Sequence, residues 1–163
     1  MGCSLITKIS PTLPFLILKD RNPYGVTSKN NARKVLEGMI KGAKACLSNG
    51  LDVGIGSDAG AFCTTHYNFW RELYYFQKLM EVTPEKTLYL ATLGNARIAG
   101  IDNETGSIEI GKSADLIIIR DNPFKNKFKN LSNPALVMIK GKVILNPHIK
   151  KNSDVEKVFE KIM

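Results

Sequence analysis

The sequence predicts an α/β fold over residues 1–100, a small β unit over residues 101–147, and a carboxyl-terminal helix or tail over residues 148–163. Three observations indicate this. A helical pattern of apolar residues passes through Gly50 directly into an apolar strand, which is typical of a parallel α/β repeat. A further helix begins at Pro84. Beyond it, short β-segments separated by glycine and proline turns replace the helical pattern.

The first element is an apolar stretch over residues 6–18 that contains Pro11 and Pro14. Proline cannot occupy a central strand, so the stretch predicts a strand that leaves its sheet through a Pro-Thr-Leu-Pro turn. A loop follows, and Ser28 is suited to cap a helix over residues 30–48. The apolar residues of that helix fall on one face: Val35, Leu36, Met39, Ile40, Ala43 and Leu47.

The next strand, residues 51–56, is followed directly by Ser-Asp-Ala-Gly at residues 57–60. Gly50 supplies the left-handed residue that ends the preceding helix. At the end of a parallel strand, Asp58 would lie at the carboxyl edge of the sheet, where barrel enzymes assemble their chemistry.

Two more helices are predicted before the chain changes character. Residues 67–80 carry apolar side chains at helical spacing, and residues 83–99 continue the pattern with Thr83 as cap and Pro84 at the first helical position. Gly100 ends the second of these helices. No internal repeat is present.

The β unit consists of four predicted segments: residues 107–110, 114–120, 136–139 and 142–145. Gly141 is expected at positive φ in a hairpin between the last two. Residues 114–119 are apolar on both faces, which predicts a sheltered strand. Ser153 begins a pattern that predicts a final helix.

Composition excludes several classes of protein. The 163 residues carry a formal net charge of +8, but the basic residues are scattered and no recognition motif accompanies them, so we expect neither nucleic-acid nor membrane binding. No apolar run approaches the roughly 18 residues of a membrane span. The cysteines, Cys3, Cys46 and Cys63, are odd in number and far apart, which favours a reducing, cytoplasmic compartment.

Candidate functional residues are few. Asp58 could act as a metal-binding or proton-accepting carboxylate, or simply cap the helix or loop that follows it. His66 lies eight residues on and could contact a substrate or only hydrogen-bond to backbone. Cys63 and His66 form a Cys-x-x-His pair that nothing else in the sequence supports as a nucleophile dyad. His148 is expected to be solvated.

Several motifs occur in a characteristic order: Gly56-Ser-Asp-Ala-Gly60, Thr83-Pro-Glu85, Thr92-Leu-Gly-Asn-Ala96 and Gly106-Ser-Ile-Glu-Ile-Gly-Lys-Ser-Ala-Asp-Leu116. In this order the chain resembles the last third of the metal-dependent amidohydrolase superfamily, and most of all its imidazolonepropionase and Xaa-Pro dipeptidase-like branch. The resemblance implies the last strands and helices of a TIM-type (β/α)8 barrel, followed by half of a small composite β-sandwich. A complete barrel takes about 250 residues, so the fold is expected to be incomplete.

The resemblance also implies roles for the site residues. Asp58 would be a metal ligand and the catalytic proton acceptor, and His66 would contact the substrate. The complete enzyme would use a divalent metal, zinc before others, to hydrolyse C–N bonds of a small cyclic amide or a peptide-like substrate. Asn95 is expected to tie its helix to the barrel rather than touch substrate.

The sequence departs from the family pattern in its metal ligands. It has two histidines and no His-x-His pair, whereas a catalytic zinc ordinarily needs three protein ligands. We therefore expect this chain alone to bind no metal tightly and to be inactive, with a complementing chain or homo-oligomer as partner. The alternative is a non-catalytic remnant or interaction module that associates through exposed barrel edges.

Overall fold

The structure, a computed structural model, describes residues 3–17 and 25–162, with the side chains of residues 25–28 excepted. Most of the predicted loop before the first long helix lies outside the described residues. That helix begins at Gly25, before Ser28, so the predicted cap at Ser28 is wrong. No proline after Pro23 interrupts the segment, and the helix can therefore extend further toward the amino terminus.

The first two strands, β1 (Ser4–Thr7) and β2 (Asp52–Ile55), form a parallel pair in which Ser4 is opposite Asp52 and Thr7 is opposite Ile55. Because parallel neighbours need a crossover, the helix between them packs across the pair. The two strands thus end at the same edge. The parallel α/β arrangement predicted for this region is confirmed.

Two helices connect the strands. After β1 the chain turns, with the Thr12 N–H donating to the carbonyl of Ile9 at 3.1 Å, and enters α1 (Leu13–Ile17). The strand thus ends before the prolines, as predicted. The long helix α2 (Gly25–Ser48) packs against both strands and α1.

A 3₁₀ turn (His66–Asn68) leads into α3 (Phe69–Met80). Then α4 (Pro84–Tyr89), a π-helical turn (Leu90–Gly94) and α5 (Asn95–Ala99) form one nearly continuous rod. Its start is as predicted, because the Thr83 hydroxyl accepts from the Lys86 N–H at 3.2 Å. Its end at Gly100, with φ 71°, is confirmed as well.

An antiparallel sheet follows, built from β3 (Leu116–Ile118), β4 (Leu136–Ile139) and β5 (Lys142–Leu145) in that order. A 3₁₀ segment, Asn126–Ser132, connects the first two strands. The hairpin between the last two turns at Lys140 and Gly141, both at positive φ, which confirms the predicted role of Gly141.

Two predictions for the β unit are wrong. Residues 107–110 form no strand, and no described strand pairs with them. The apolar run over residues 114–119 is not sheltered, since Ile117 and Ile118 are 54% and 55% exposed. Both errors have one cause: the described sheet has three strands, with nothing packed over much of its surface.

The last element is α6 (Ser153–Glu160). Its cap is Asn152, whose side chain accepts from the N–H groups of Asp154 and Val155, and Ser153 is the first helical residue. Within residues 3–17 and 25–162, no helix combines the length and apolar character needed to span a membrane.

The core lies between the parallel strands, α2 and α3. Its fully buried members include Ile9, Ala43, Phe76, Phe128 and Phe159. The chain therefore has an α/β fold with a dense core on one side and a thinly covered antiparallel sheet on the other. The full barrel and the sandwich stay predictions.

Candidate functional site

Asp58 lies at the carboxyl edge of the parallel pair, as predicted. Its side chain is exposed, and Oδ1 is 3.1 Å from the Nζ of Lys8, which follows β1 at the same edge. Exposed pairs of this kind contribute about 0–1 kcal/mol, so the contact does little for stability. The observed side-chain contact is with Lys8 and not with a helix amino terminus, so the interpretation of Asp58 as a cap is not supported.

The backbone at Asp58 is unusual. Its φ is 55°, in the left-handed region that aspartate adopts more readily than most residues. The following loop is tight: the Ala61 N–H donates to the carbonyl of Asp58 at 3.0 Å, and the Gly60 N–H donates to that of Thr64 at 3.0 Å. The carboxylate is thus presented from a short loop whose backbone is hydrogen-bonded to itself.

Asn95 fixes the strand that leads to Asp58. Its Oδ1 accepts from the Ile55 N–H at 3.0 Å and its Nδ2 donates to the Ile55 carbonyl at 2.8 Å. The predicted tie between this helix and the strand is therefore confirmed. The Asn95 amide thus bonds the backbone N–H and carbonyl of Ile55, as a neighbouring strand would. The Asn95 side chain therefore also covers this point of the exposed edge of β2.

Gly54 makes the approach of Asn95 possible. A Cβ built on Gly54 would lie 2.4 Å from Asn95 Oδ1 and 2.5 Å from Ile6 Cδ1, well inside van der Waals contact. A side chain at residue 54 must therefore displace the Asn95 amide and the Ile6 side chain.

We expect Gly54→Ala to lower the free energy of unfolding by roughly 1–3 kcal/mol, since overpacking costs about that much. Gly38→Ala is the matched control, because a Cβ on Gly38 meets nothing within 4 Å and alanine favours helix. Urea unfolding of both variants measures the effect. Equal stability of the Gly54 and Gly38 variants would show that the close approach is not needed.

Glu72 is a second carboxylate near this edge, and it is fully buried. Its two oxygens accept from consecutive backbone N–H groups, that of Ile9 at 2.6 Å and that of Ser10 at 2.7 Å. Burial raises the pKa of Glu72 to about 7, against the opposing effects of the Ser10 hydroxyl and the two N–H groups. The side chain therefore anchors α3 to the turn directly after Lys8.

The resemblance to the family places Glu72 on the helix that follows His66, but its burial was not predicted although the sequence contained a signal for it. Glu72 is three residues after Phe69 and four before Phe76, both on the apolar face of α3, so it had to face the core. A carboxylate on such a face needs donors, and the end of a neighbouring strand supplies them.

His66 begins the 3₁₀ turn before α3, and its imidazole is exposed. Among the described contacts, Asp58 pairs with Lys8, and no hydrogen bond joins Asp58 to His66.

His148 is exposed, as predicted. Partial burial raises the pKa of the Cys63 thiol, which disfavours the thiolate and argues against a Cys-His nucleophile pair.

The donor set for a metal is incomplete in this chain. Within the part of the chain that the structure describes, no three His, Cys, Asp or Glu residues are grouped closely enough to hold an ion. Asp58 offers one carboxylate, whereas a catalytic zinc needs about three protein ligands. The residues present do not fit such a metal by themselves.

In parallel α/β folds the enzyme site usually lies at the carboxyl edge of the strands, and Asp58 presents an exposed carboxylate there. The particular class follows from the sequence match of residues 4–144 to the model of the amidohydrolase family. The chain belongs to the amidohydrolase family.

Relatives agree with this assignment. The chain is 29% identical over 162 residues to the 5-methylthioadenosine/S-adenosylhomocysteine deaminase of Thermoanaerobacter pseudethanolicus, covering 88% of this chain and 37% of the relative. It is 35% identical over 83 residues to the imidazolonepropionase of Picrophilus torridus, covering 51% and 21%. The structure of a Bifidobacterium longum protein assigned as a prolidase matches with a TM-score of 0.91 and 34% identity, covering 97% of this chain and 39% of that one. The chain thus spans about two fifths of the length of this deaminase and of the Bifidobacterium longum protein.

Proposed function

We propose that this chain is the carboxyl-terminal part of an amidohydrolase that hydrolyses C–N bonds in a small cyclic amide or a peptide-like substrate. The observation that carries the proposal is the placement of Asp58 at the shared carboxyl edge of two parallel strands. Relatives named as a deaminase, an imidazolonepropionase and a prolidase support chemistry at carbon–nitrogen bonds. Residues outside this chain would complete the site.

In the complete enzyme Asp58 would accept a proton from the water that attacks the substrate. A carboxylate oxygen can accept a proton from water, and the ion pair of Asp58 with Lys8 is exposed. The divalent metal, zinc before others, would be held by ligands from the missing part together with Asp58. Such an ion supplies Lewis-acid activation of water or carbonyl groups.

His66 is the proposed substrate contact. Its imidazole is exposed and stands on the turn that leads into α3, the helix anchored to the end of β1 by Glu72. An exposed imidazole can donate or accept a hydrogen bond with an amide substrate. We place it beside the site opening rather than on the metal.

The proposed organisation has three parts: residues 1–100 as the last repeats of a barrel, residues 101–147 as half of a composite β-sandwich, and residues 148–163 as a carboxyl-terminal helix or tail. The separate parallel and antiparallel sheets support this division. A complementing chain, or further sequence of the same protein, would supply the other strands.

Sequencing the source genome around this coding region tests the proposal. We expect nearby coding sequence, or a separate gene, for an apolar strand ending in His-x-His and later strands ending in lysine and histidine. A genome with no such sequence to complement this chain would contradict the proposal of a completed hydrolase.

A non-catalytic association module is the second candidate. The antiparallel sheet favours it, because apolar side chains on one of its faces are left open: Ile118 and Leu145 are 55% and 69% exposed and lie in one cross-strand row through Leu136. Patches of this kind commonly mark protein contacts. The partner we propose in this case is a second copy of the chain.

The double variant Ile118→Lys, Leu145→Lys is expected to convert a self-associated chain into a monomer while changing stability little, because both side chains are already exposed. Ile149→Lys, outside the sheet, is the matched control. Sedimentation velocity distinguishes the outcomes. A wild-type chain that is already monomeric at micromolar concentration would exclude self-association through this face.

A further inference from the structure

The helix α6 lies beyond residues 4–144, which match the family model, and it is hydrogen-bonded to the turn that carries His66. Its described side-chain hydrogen bonds to other elements are made to that turn and to the first residues of α3. The match to the family model does not include α6, so the family assignment by itself gives no role to these contacts.

Glu156 makes the central contact. Its Oε1 accepts from Asn68 Nδ2 at 2.9 Å and its Oε2 accepts from Arg71 Nη2 at 2.8 Å. Arg71 Nε also donates to Asn68 Oδ1 at 3.3 Å, so the three side chains close a ring. Asn68 and Arg71 are buried, and such an ion pair holds its geometry better than an exposed one.

A second contact holds the residue next to His66. The Asn152 N–H donates to the Tyr67 hydroxyl at 2.8 Å, and the Asn152 side chain caps α6. Tyr67 and Asn68 are the two residues that follow His66 in the 3₁₀ turn. Residues at the start of α6 and within it therefore hydrogen-bond to Tyr67 and to Asn68 of this turn.

Phe159 packs the carboxyl-terminal end of α6 into the core. It is 1% exposed, its ring stacks on that of Tyr75 with centroids 6.5 Å apart, and the Arg71 guanidinium lies 5.2 Å from its centroid. The helix also packs against α1, which follows the end of β1. The helix thus contacts both α1 and the region of α3.

We propose that α6 is a positioning element and that Glu156 is a positioning residue, which together fix the turn bearing His66. This inference rests on the proposed role of His66 as the substrate contact. Without the Glu156 contacts the turn loses its hold at Asn68, and the imidazole samples a wider range of positions. In the complete enzyme substrate binding would weaken more than the chemical step.

The test uses the full chain and its two histidines. In ¹H–¹³C NMR spectra, Glu156→Gln should shift or broaden the imidazole signals of His66 and leave those of His148 unchanged. Amide exchange at residues 66–68 should accelerate by roughly tenfold or more, as expected when a local hydrogen-bonded unit opens more often. Glu160→Gln, exposed on the same helix, is the control and should change neither reading.

Tyr67→Phe is a second, milder variant that keeps the test informative if Glu156→Gln does not fold. It removes the hydroxyl that Asn152 contacts but keeps the pair between Glu156 and Arg71. It should produce a smaller change at His66 of the same kind. His66 signals and amide exchange that match wild type in every folded variant would overturn the inference.

Kinetics of the complete enzyme separates this inference from the proposed function. Glu156→Gln should raise KM by about tenfold with kcat within about twofold, the pattern of lost substrate binding. An NMR response to Glu156→Gln together with an unchanged KM in His66→Ala would support positioning by α6 and overturn the proposed role of His66. A matching loss in Glu156→Gln and His66→Ala supports both.

Discussion

We expect the wild-type chain to lose stability toward unfolding as pH rises from about 5 to about 8. In Glu72→Gln this pH-dependent loss should be absent. Burial raises the pKa of Glu72 from 4.5 to about 7, so the folded chain holds this proton more tightly than the unfolded chain. The associated stability is present in full below the unfolded pKa and is lost as pH rises through the folded pKa. The loss is on the order of 3 kcal/mol, and glutamine, which does not titrate, abolishes it.

Urea unfolding at pH 5 and pH 8 measures this slope, with Glu160→Gln as the exposed control. At any one pH the variant also leaves one of the two N–H groups at Ile9 and Ser10 facing an amide NH₂, which costs about 1–3 kcal/mol. The two effects separate because one depends on pH and the other does not. Parallel slopes for wild type and Glu72→Gln would contradict the assignment of the titration to Glu72.

Asp58→Asn is expected to lower kcat of the complete enzyme by about 10²–10⁴-fold, the range typical of a lost general base. Stability should change by less than about 1 kcal/mol, because the pair with Lys8 is exposed. Asp52→Asn is the matched control, since Asp52 is an exposed aspartate at the opposite end of the same strand. Steady-state kinetics with substrates of the C–N hydrolase class provide the measurement.

Two outcomes of this experiment bear on the role of Asp58. Loss of activity in Asp58→Asn with normal kinetics in Asp52→Asn locates the chemistry at the carboxyl edge. Equal activity of the wild type, Asp58→Asn and Asp52→Asn would exclude Asp58 from the mechanism.

Local signals made much of the fold predictable from the sequence. The start of α4 depends on the hydroxyl of Thr83 and on Pro84, and the hairpin depends on Gly141, all of which act within a few residues. The end of β2 and the placement of Asp58 at its carboxyl edge follow from one apolar strand after a capped helix. In each case the determining residues are neighbours in the chain.

Nonlocal contacts were the part that the sequence did not reveal. The pair between Lys8 and Asp58 joins residues 50 apart in the chain, and Glu72 reaches Ile9 across 63. The misplaced strand at residues 107–110 has the same origin, because a β-segment needs a partner strand and none is described for it. Sequence periodicity reports which face is apolar but not which distant donor meets it.

The most direct test of the central claim is reconstitution of activity from two chains. The part of the Bifidobacterium longum protein that this chain does not match would be produced separately and mixed with this chain and a divalent metal. We predict hydrolysis of C–N substrates that neither chain shows alone and that disappears when this chain carries Asp58→Asn. Activity that appears equally with wild type and Asp58→Asn would contradict the claim that this chain contributes the catalytic carboxylate.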